Sequence, residues 1–184
     1  MGMATTGYTR TAISLHWLVA GLVLAGFAIG TYAVGLEVSP AKLKLYSWHK
    51  WIGITILLLM LARLAWRLWH SPPALPAAMP RWEQGTAATV HGLLYLLLFA
   101  LPLSGWLMSS AAGFPVVYLG VLPLPDLVGK DKALADALKT VHDWLNNGLF
   151  LLVVLHVAAA LKHHFRDRDA VLARMLPFLT REKT

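Results

Sequence analysis

The chain has 184 residues, of which 58% are hydrophobic and 14% charged, with eight tryptophans. This composition is too apolar for a soluble domain of such a length and indicates an integral membrane protein. The absence of cysteine excludes disulfides, iron–sulfur clusters and thiolate-bound cofactors, so any metal would depend on His, Met or carboxylate ligands. The net charge of +7 is attributed to membrane topology and contact with anionic lipid, and not to nucleic-acid binding.

Four apolar segments, at residues 13–34, 48–69, 88–109 and 132–165, each reach the ~20 residues needed to span ~30 Å of hydrocarbon. They predict an all-α fold, in which one domain over residues 1–184 forms an integral membrane four-helix bundle with both termini on one side. Arg10 precedes the first segment as it would in a signal peptide. The apolar run is longer than that of such a peptide, so a retained span is predicted.

The distribution of basic residues predicts that both termini are cytoplasmic. In this orientation the inner side holds ten of the 16 Lys and Arg residues, namely Arg10, Arg63, Arg67, Arg81, Lys162, Arg166, Arg168, Arg174, Arg181 and Lys183. The outer side holds the other six, namely Lys42, Lys44, Lys50, Lys130, Lys132 and Lys139.

The connections between the spans differ in length and composition. The first is short and carries Pro40, whereas the second, SPPALPAAMPRWEQG (71–85), contains four prolines and is predicted to be a non-helical, semi-rigid link. The third, at about residues 111–129, is apolar but broken by three prolines, which predicts a lid at the outer interface. The amphipathic pattern KALADALKTVHDWL that follows predicts that the fourth helix begins outside the membrane and continues into it.

Five of the eight histidines lie at matched depths in these spans, namely His16, His49, His91, His142 and His156. His49 and His142 lie near the outer ends of spans two and four, whereas His16, His91 and His156 lie towards the inner side. His142 and His156 are separated by about 3.9 helical turns and about 21 Å of rise, so they face the same way at opposite depths. This spacing suits two stacked cofactors.

A haem b that is held without covalent bonds needs two axial ligands on opposite sides of its plane, and imidazoles from two facing helices can supply them. At the outer side the pair available is His49 and His142. At the inner side His156 can pair with either His16 or His91, and the spacing in sequence does not decide between them.

Five stretches along the chain resemble the bacterial cytochrome b561 family, including the type that oxidises superoxide. They are LHW (15–17), WHKWIG (48–53), MLARLAWRLW (60–69), VHGLLYLLLFALPLSGW (90–106) and VHDWLNNGLFLLVVLHVAAALKHHF (141–165). In that family the iron ligands come from helices one, two and four. The resemblance therefore implies two haem b groups, an inner one held by His16 and His156 and an outer one held by His49 and His142.

Further residues are candidates for the remaining tasks of such a protein. Arg63 follows His49 by fourteen positions on the same helical face and is a candidate for a haem propionate; the alternative is an arginine that anchors the helix end. Ser14 and His163 are candidates for binding a quinone at the inner haem, with His91 as a second candidate. The outer lysines Lys42, Lys44 and Lys50 would attract a small anion.

The expected function is transmembrane electron transfer in the inner membrane of a bacterium. Electrons would enter at the outer haem, cross to the inner one and reduce ubiquinone. The resemblance implies that the donor is periplasmic superoxide, which would make the protein a superoxide:ubiquinone oxidoreductase. The alternative is a haem b membrane-anchor subunit that passes electrons between quinone and a periplasmic dehydrogenase or cytochrome.

Overall fold

The computed structural model describes residues 7–76 and 78–179, and this part of the chain is almost entirely helical. Arg181 and Lys183, two of the basic residues on which the predicted orientation rests, lie outside the described residues. The four long helices are α1 (Arg10–Val34), α2 (Pro40–Trp69), α3 (Arg81–Ala111) and α4 (Lys132–Lys162). A short hairpin of β1 (Val117–Tyr118) and β2 (Leu122–Pro123) separates α3 from α4, and a π-helical turn, His163–Asp167, extends α4.

All four helices are long and apolar enough to cross a membrane. Few of their large apolar side chains are buried, and many are exposed on the outside of the bundle, such as Leu24 at 64% and Phe150 at 59%. A lipid environment explains this pattern, because apolar side chains facing hydrocarbon lose nothing by exposure. The predicted all-α membrane four-helix bundle is therefore confirmed.

Capping residues set the helix starts. Thr9, Ser39 and Asp131 each accept a hydrogen bond from a backbone N–H in the first turn of α1, α2 and α4 respectively. α3 begins at Arg81 directly after Pro80, so the prediction of a non-helical link is wrong for residues 81–85. Proline is tolerated at a helix start because no intrahelical partner needs its missing N–H, and Glu83 in the first turn favours a helix there.

The bundle is closed between consecutive helices and open elsewhere. α1 packs on α2, α2 on α3 and α3 on α4, but among the described residues no Cα atom of α4 lies within 8 Å of α1 or α2. A cluster of buried apolar side chains lies at mid-depth between the helices, formed by Val19, Val23, Ile56, Met60 and Leu149. The backbone thus leaves room beside α4 above and below this apolar layer.

The two ends of the bundle have different surroundings. At the end where α1 begins and α4 ends, called the terminal end, Trp66 Nε1 donates to Thr9 Oγ1 at 2.9 Å and Trp17 Nε1 donates to the carbonyl of Met175 at 2.8 Å. At the opposite end, called the lid end, the segment predicted as a lid folds over α2. Trp51 Nε1 donates to the carbonyl of Val117 at 2.7 Å, which fixes the hairpin against α2.

Candidate functional site

The structure brings the five membrane histidines together in two groups. At the lid end the ring centres of His49 and His142 lie 6.3 Å apart. At the terminal end the ring of His156 lies 6.2 Å from that of His16 and 5.2 Å from that of His91. Each group therefore contains one histidine of α4 facing a histidine of α1 or α2 across the open side of the bundle.

These separations can be compared with what a shared metal requires. A metal–imidazole nitrogen bond is about 2 Å long and the ring centre lies about 1 Å further, so two imidazoles on opposite sides of one iron have ring centres about 6 Å apart. The distances of 6.3 Å for His49–His142 and 6.2 Å for His16–His156 match this value. The 5.2 Å between His91 and His156 is too short for an iron between the rings.

At the lid end, hydrogen bonds orient both imidazoles so that the same nitrogen remains available. His49 Nδ1 donates to the carbonyl oxygen of Gly26 at 3.1 Å. The hydroxyl of Ser104 donates to the carbonyl of Leu101 at 2.8 Å and accepts from His142 Nδ1 at 2.9 Å. Because Nδ1 carries the proton in both rings, Nε2 keeps its lone pair in both; metal-binding histidines are oriented in this way by a hydrogen bond from the other ring nitrogen.

Glycines provide the space for these two rings. A Cβ atom on Gly30 would lie 3.0 Å from His49 Cε1, and one on Gly105 would lie 3.1 Å from His142 Cε1. The sequence analysis missed both residues, although the spacing of Gly30 four residues after Gly26 is a sign of close helix approach. The rings border a cavity of about 60 Å³ between the helices, which shares Phe27 and Asn146 with an open groove of about 660 Å³ between α1 and α4. The space beside His49 and His142 is therefore open between α1 and α4, as a large planar group between these rings would require.

This crowding leads to a prediction for the Gly30→Ala variant. The added methyl group has to displace the His49 ring, which costs about 1–3 kcal/mol where the helices cannot shift. We expect a reduced content of the lid-end cofactor, measured as absorbance per chain in purified protein. Gly21→Ala on the same helix is the matched control because nothing lies within 4 Å of its added Cβ. Equal cofactor content in the two variants would contradict the role given to Gly30.

Arg63 lies beside the histidines of the terminal end. Its Nε donates to the hydroxyl of Tyr95 at 3.0 Å, and its charge acts on His16 and His156. The Arg67 guanidinium lies 5.5 Å from the centre of the same Tyr95 ring. Sequence reasoning missed Tyr95. Its position one helical turn after His91 would have marked it as part of this group. Arg63 thus lies beside the histidines of the terminal end, with Tyr95 fixing its orientation, and its pairing with a propionate stays a prediction.

Two of the three candidates for a quinone site, Ser14 and His163, lie apart from each other. His163 lies at the end of α4 with its side chain only 12% exposed, and its Nδ1 lies 2.7 Å from Asp169 and 3.1 Å from Asp167. Ser14 is exposed on α1. Within the described part of the chain no hydrogen bond joins Ser14 to His163, so any ligand that they share would have to bridge the gap between α1 and α4.

The three lysines selected for anion attraction all lie near the lid end of α2. Lys42 Nζ donates to the carbonyl of Leu36 at 2.6 Å, and Lys50 Nζ donates to the carbonyl of Phe114 in the lid at 3.1 Å. Lys44 Nζ lies 5.2 Å from the centre of the Trp48 ring. None of these three contacts neutralises the ammonium charge, although the carboxylate of Asp126 acts on Lys50.

Comparison with known proteins agrees with this arrangement. Residues 7–178 match the family model described as prokaryotic cytochrome b561. The chain belongs to the prokaryotic cytochrome b561 family. This confirms the resemblance seen in the sequence, and it identifies a bacterial membrane electron carrier of a family whose members bind haem b.

Individual relatives cover nearly the whole cytochrome. Cytochrome b561 homolog 2 of Escherichia coli K12 is 37% identical over 171 residues, which is 92% of this chain and 90% of the relative. A Yersinia pestis protein named probable superoxide oxidase CybB is 33% identical over 176 residues, 92% of this chain and 96% of the relative. Cytochrome b562 of Cereibacter sphaeroides is 31% identical over 182 residues, 92% and 95% of the two chains.

Proposed function

We propose that this cytochrome is a superoxide:ubiquinone oxidoreductase with two haem b groups. It spans the bacterial inner membrane with both termini cytoplasmic, takes electrons from superoxide at the periplasmic lid end and delivers them to ubiquinone at the terminal end. The observation that carries the proposal is the pair of histidine groups at opposite ends of α4, each with one ring-centre distance that suits an iron, 6.3 Å and 6.2 Å.

His49 and His142 would hold the iron of the lid-end haem, and His16 and His156 that of the terminal-end haem. The family resemblance and the ring distances both favour His16 over His91. Arg63, held by Tyr95, would pair with a propionate of the terminal-end haem. The haems supply the one-electron chemistry, whereas the protein sets their ligation, burial and access. The apolar layer around Met60 and Leu149 excludes water between the two sites.

The lid end would receive the donor. Two superoxide anions give up one electron each and become dioxygen, and the positive charges of Lys42, Lys44 and Lys50 raise the local concentration of the anion. The relative that is named a probable superoxide oxidase supports this donor.

The terminal end would bind the acceptor. Ubiquinone takes up two electrons and two protons to become ubiquinol, with Ser14, His163 and His91 as the polar groups available around its carbonyl oxygens.

Rapid mixing of the purified, oxidised cytochrome tests this function. A pulse of superoxide is expected to reduce the haem, and a short-chain ubiquinone added afterwards is expected to reoxidise it, both followed by haem absorbance. Raised ionic strength should slow the first step, because salt screens the attraction of an anion by surface charges. Haem that stays oxidised after the superoxide pulse would contradict the proposed donor.

One observation favours a second candidate, a membrane anchor for a periplasmic redox protein. The tip of the lid exposes apolar side chains, with Val121 80% and Leu122 54% exposed, and such a patch can form part of a docking surface. In that case superoxide would leave the haem oxidised, whereas a reduced periplasmic dehydrogenase or cytochrome would reduce it. The same mixing experiment with both donors separates the two candidates.

A further inference from the structure

Five charged or titratable residues meet where α4 ends, beside the start of α3. In this terminal-end charge cluster Lys162 Nζ lies 2.8 Å from both Glu83 and Asp167. His163 Nδ1 lies 2.7 Å from Asp169 and 3.1 Å from Asp167. The π-helical turn His163–Asp167 and the left-handed backbone of Arg168, with φ of 54°, bring the two aspartates back over the end of the helix.

The cluster is better explained as an ion-pair network than as a metal site. One oxygen each of Glu83 and Asp167 and one nitrogen of His163 lie within 4.8 Å of one another, as metal ligands would. However, the Lys162 ammonium already bonds both carboxylates at 2.8 Å. A second cation between the same oxygens would be repelled by this ammonium.

Asp169 differs from the other two carboxylates because, among the described residues, His163 is the only side chain that it bonds. Its Oδ2 accepts from His163 Nδ1 at 2.7 Å, and its Oδ1 accepts from the backbone N–H of Val171 at 2.9 Å. Its own N–H donates to the carbonyl of His163 at 3.2 Å. The Asp167 oxygen near His163 is shared with Lys162. Asp169 is thus fixed on two sides and holds the imidazole through one short hydrogen bond.

This hydrogen bond determines which ring nitrogen is left for a ligand. His163 follows His156 by seven residues, which is about two turns and about 10 Å of rise on the same helical face. With Nδ1 held by Asp169, Nε2 is on the far side of the ring, and among the described residues it makes no hydrogen bond. The side chains of Asp169 and Asp167 are 21% and 30% exposed, compared with 12% for His163, so these two aspartates connect the His163 ring to water.

We propose that Asp169 is a positioning residue that holds His163 for proton transfer to the quinone. This inference rests on the proposed function. Each quinone receives two electrons, which come from two superoxide anions, and two protons from the terminal-end solvent. His163 passes one of these protons from Nε2 to a carbonyl oxygen and is then reprotonated at Nε2 from water. Asp169 keeps Nδ1–H engaged throughout, so that Nε2 always faces the acceptor.

The test compares Asp169→Ala with Asp169→Asn in the full-length, haem-loaded cytochrome. The alanine removes the acceptor of the Nδ1–H bond, so reoxidation of reduced haem by a short-chain ubiquinone should slow by about tenfold or more, with a larger solvent deuterium isotope effect. The asparagine keeps an acceptor oxygen of similar size and should restore most of the rate. Haem content, haem potentials and reduction by superoxide should stay unchanged in both variants.

Glu83→Ala is the matched control because it removes a carboxylate of the same cluster that does not bond His163, and its reoxidation rate should equal that of the wild type. Wild-type rates in Asp169→Ala, or equally slow rates in Asp169→Ala and Asp169→Asn, would overturn the orienting role while leaving the proposed function intact. A wild-type protein whose reduced haem is not reoxidised by ubiquinone would overturn both.

Discussion

Replacement of His49 by alanine is expected to remove one of the two proposed haems and with it the proposed entry point for electrons. Alanine offers no lone pair to the iron, and the remaining imidazole of His142 cannot hold both sides of one haem. The haem content should fall from about two to about one per chain, measured as the pyridine haemochrome against protein concentration. Reduction by a superoxide pulse should be lost, although the terminal-end haem remains.

Two further variants sharpen this prediction. His142→Ala should reproduce the His49→Ala spectrum and stoichiometry, because the two rings face each other at 6.3 Å and would share one iron. His70→Ala is the control, since this exposed histidine stacks on Trp66 with ring centres 4.0 Å apart and lies outside both groups. Two haems in His49→Ala, or different residual spectra for His49→Ala and His142→Ala, would refute the pairing at the lid end.

The sequence is sufficient to predict the four long helices and the end of the bundle near which each membrane histidine lies. Apolar runs of membrane length predict spans because no other structure satisfies the backbone in hydrocarbon, and the spacing of His142 and His156 follows from helix geometry alone. The prediction of a non-helical link is wrong at the start of α3 because the prolines of 71–85 exclude a helix only before Arg81 and not from the whole stretch.

Contacts between distant segments could not be predicted in the same way. That Gly30 and Gly105 make room for histidine rings depends on how α1 meets α2 and how α3 meets α4. The hydrogen bond from His163 to Asp169 depends on a π-helical turn and a residue with left-handed backbone, and hydrophobic periodicity in the sequence predicts neither. Likewise, the choice between His16 and His91 depends on the distance of each ring from His156, which sequence spacing leaves open.

That choice gives the second prediction, a comparison of His16→Ala with His91→Ala. The ring of His16 lies 6.2 Å from that of His156, as a shared iron requires, whereas that of His91 lies at 5.2 Å. We expect His16→Ala to lose the terminal-end haem and to keep the lid-end haem. Superoxide should still reduce the remaining haem, but ubiquinone should not reoxidise it, because the path to the terminal end is broken. Stopped-flow absorbance follows both steps.

His91→Ala should retain two haems with the low-spin spectrum of bis-histidine ligation, since this ring would not bond an iron. Any effect should be confined to the quinone step, as a higher quinone concentration needed for half-maximal reoxidation. Loss of a haem in His91→Ala together with two haems in His16→Ala would assign the terminal-end iron to His91. Since both side chains lie beside His156 and Arg63, general damage to this end would lower haem content in both variants, whereas loss of a ligand lowers it in one.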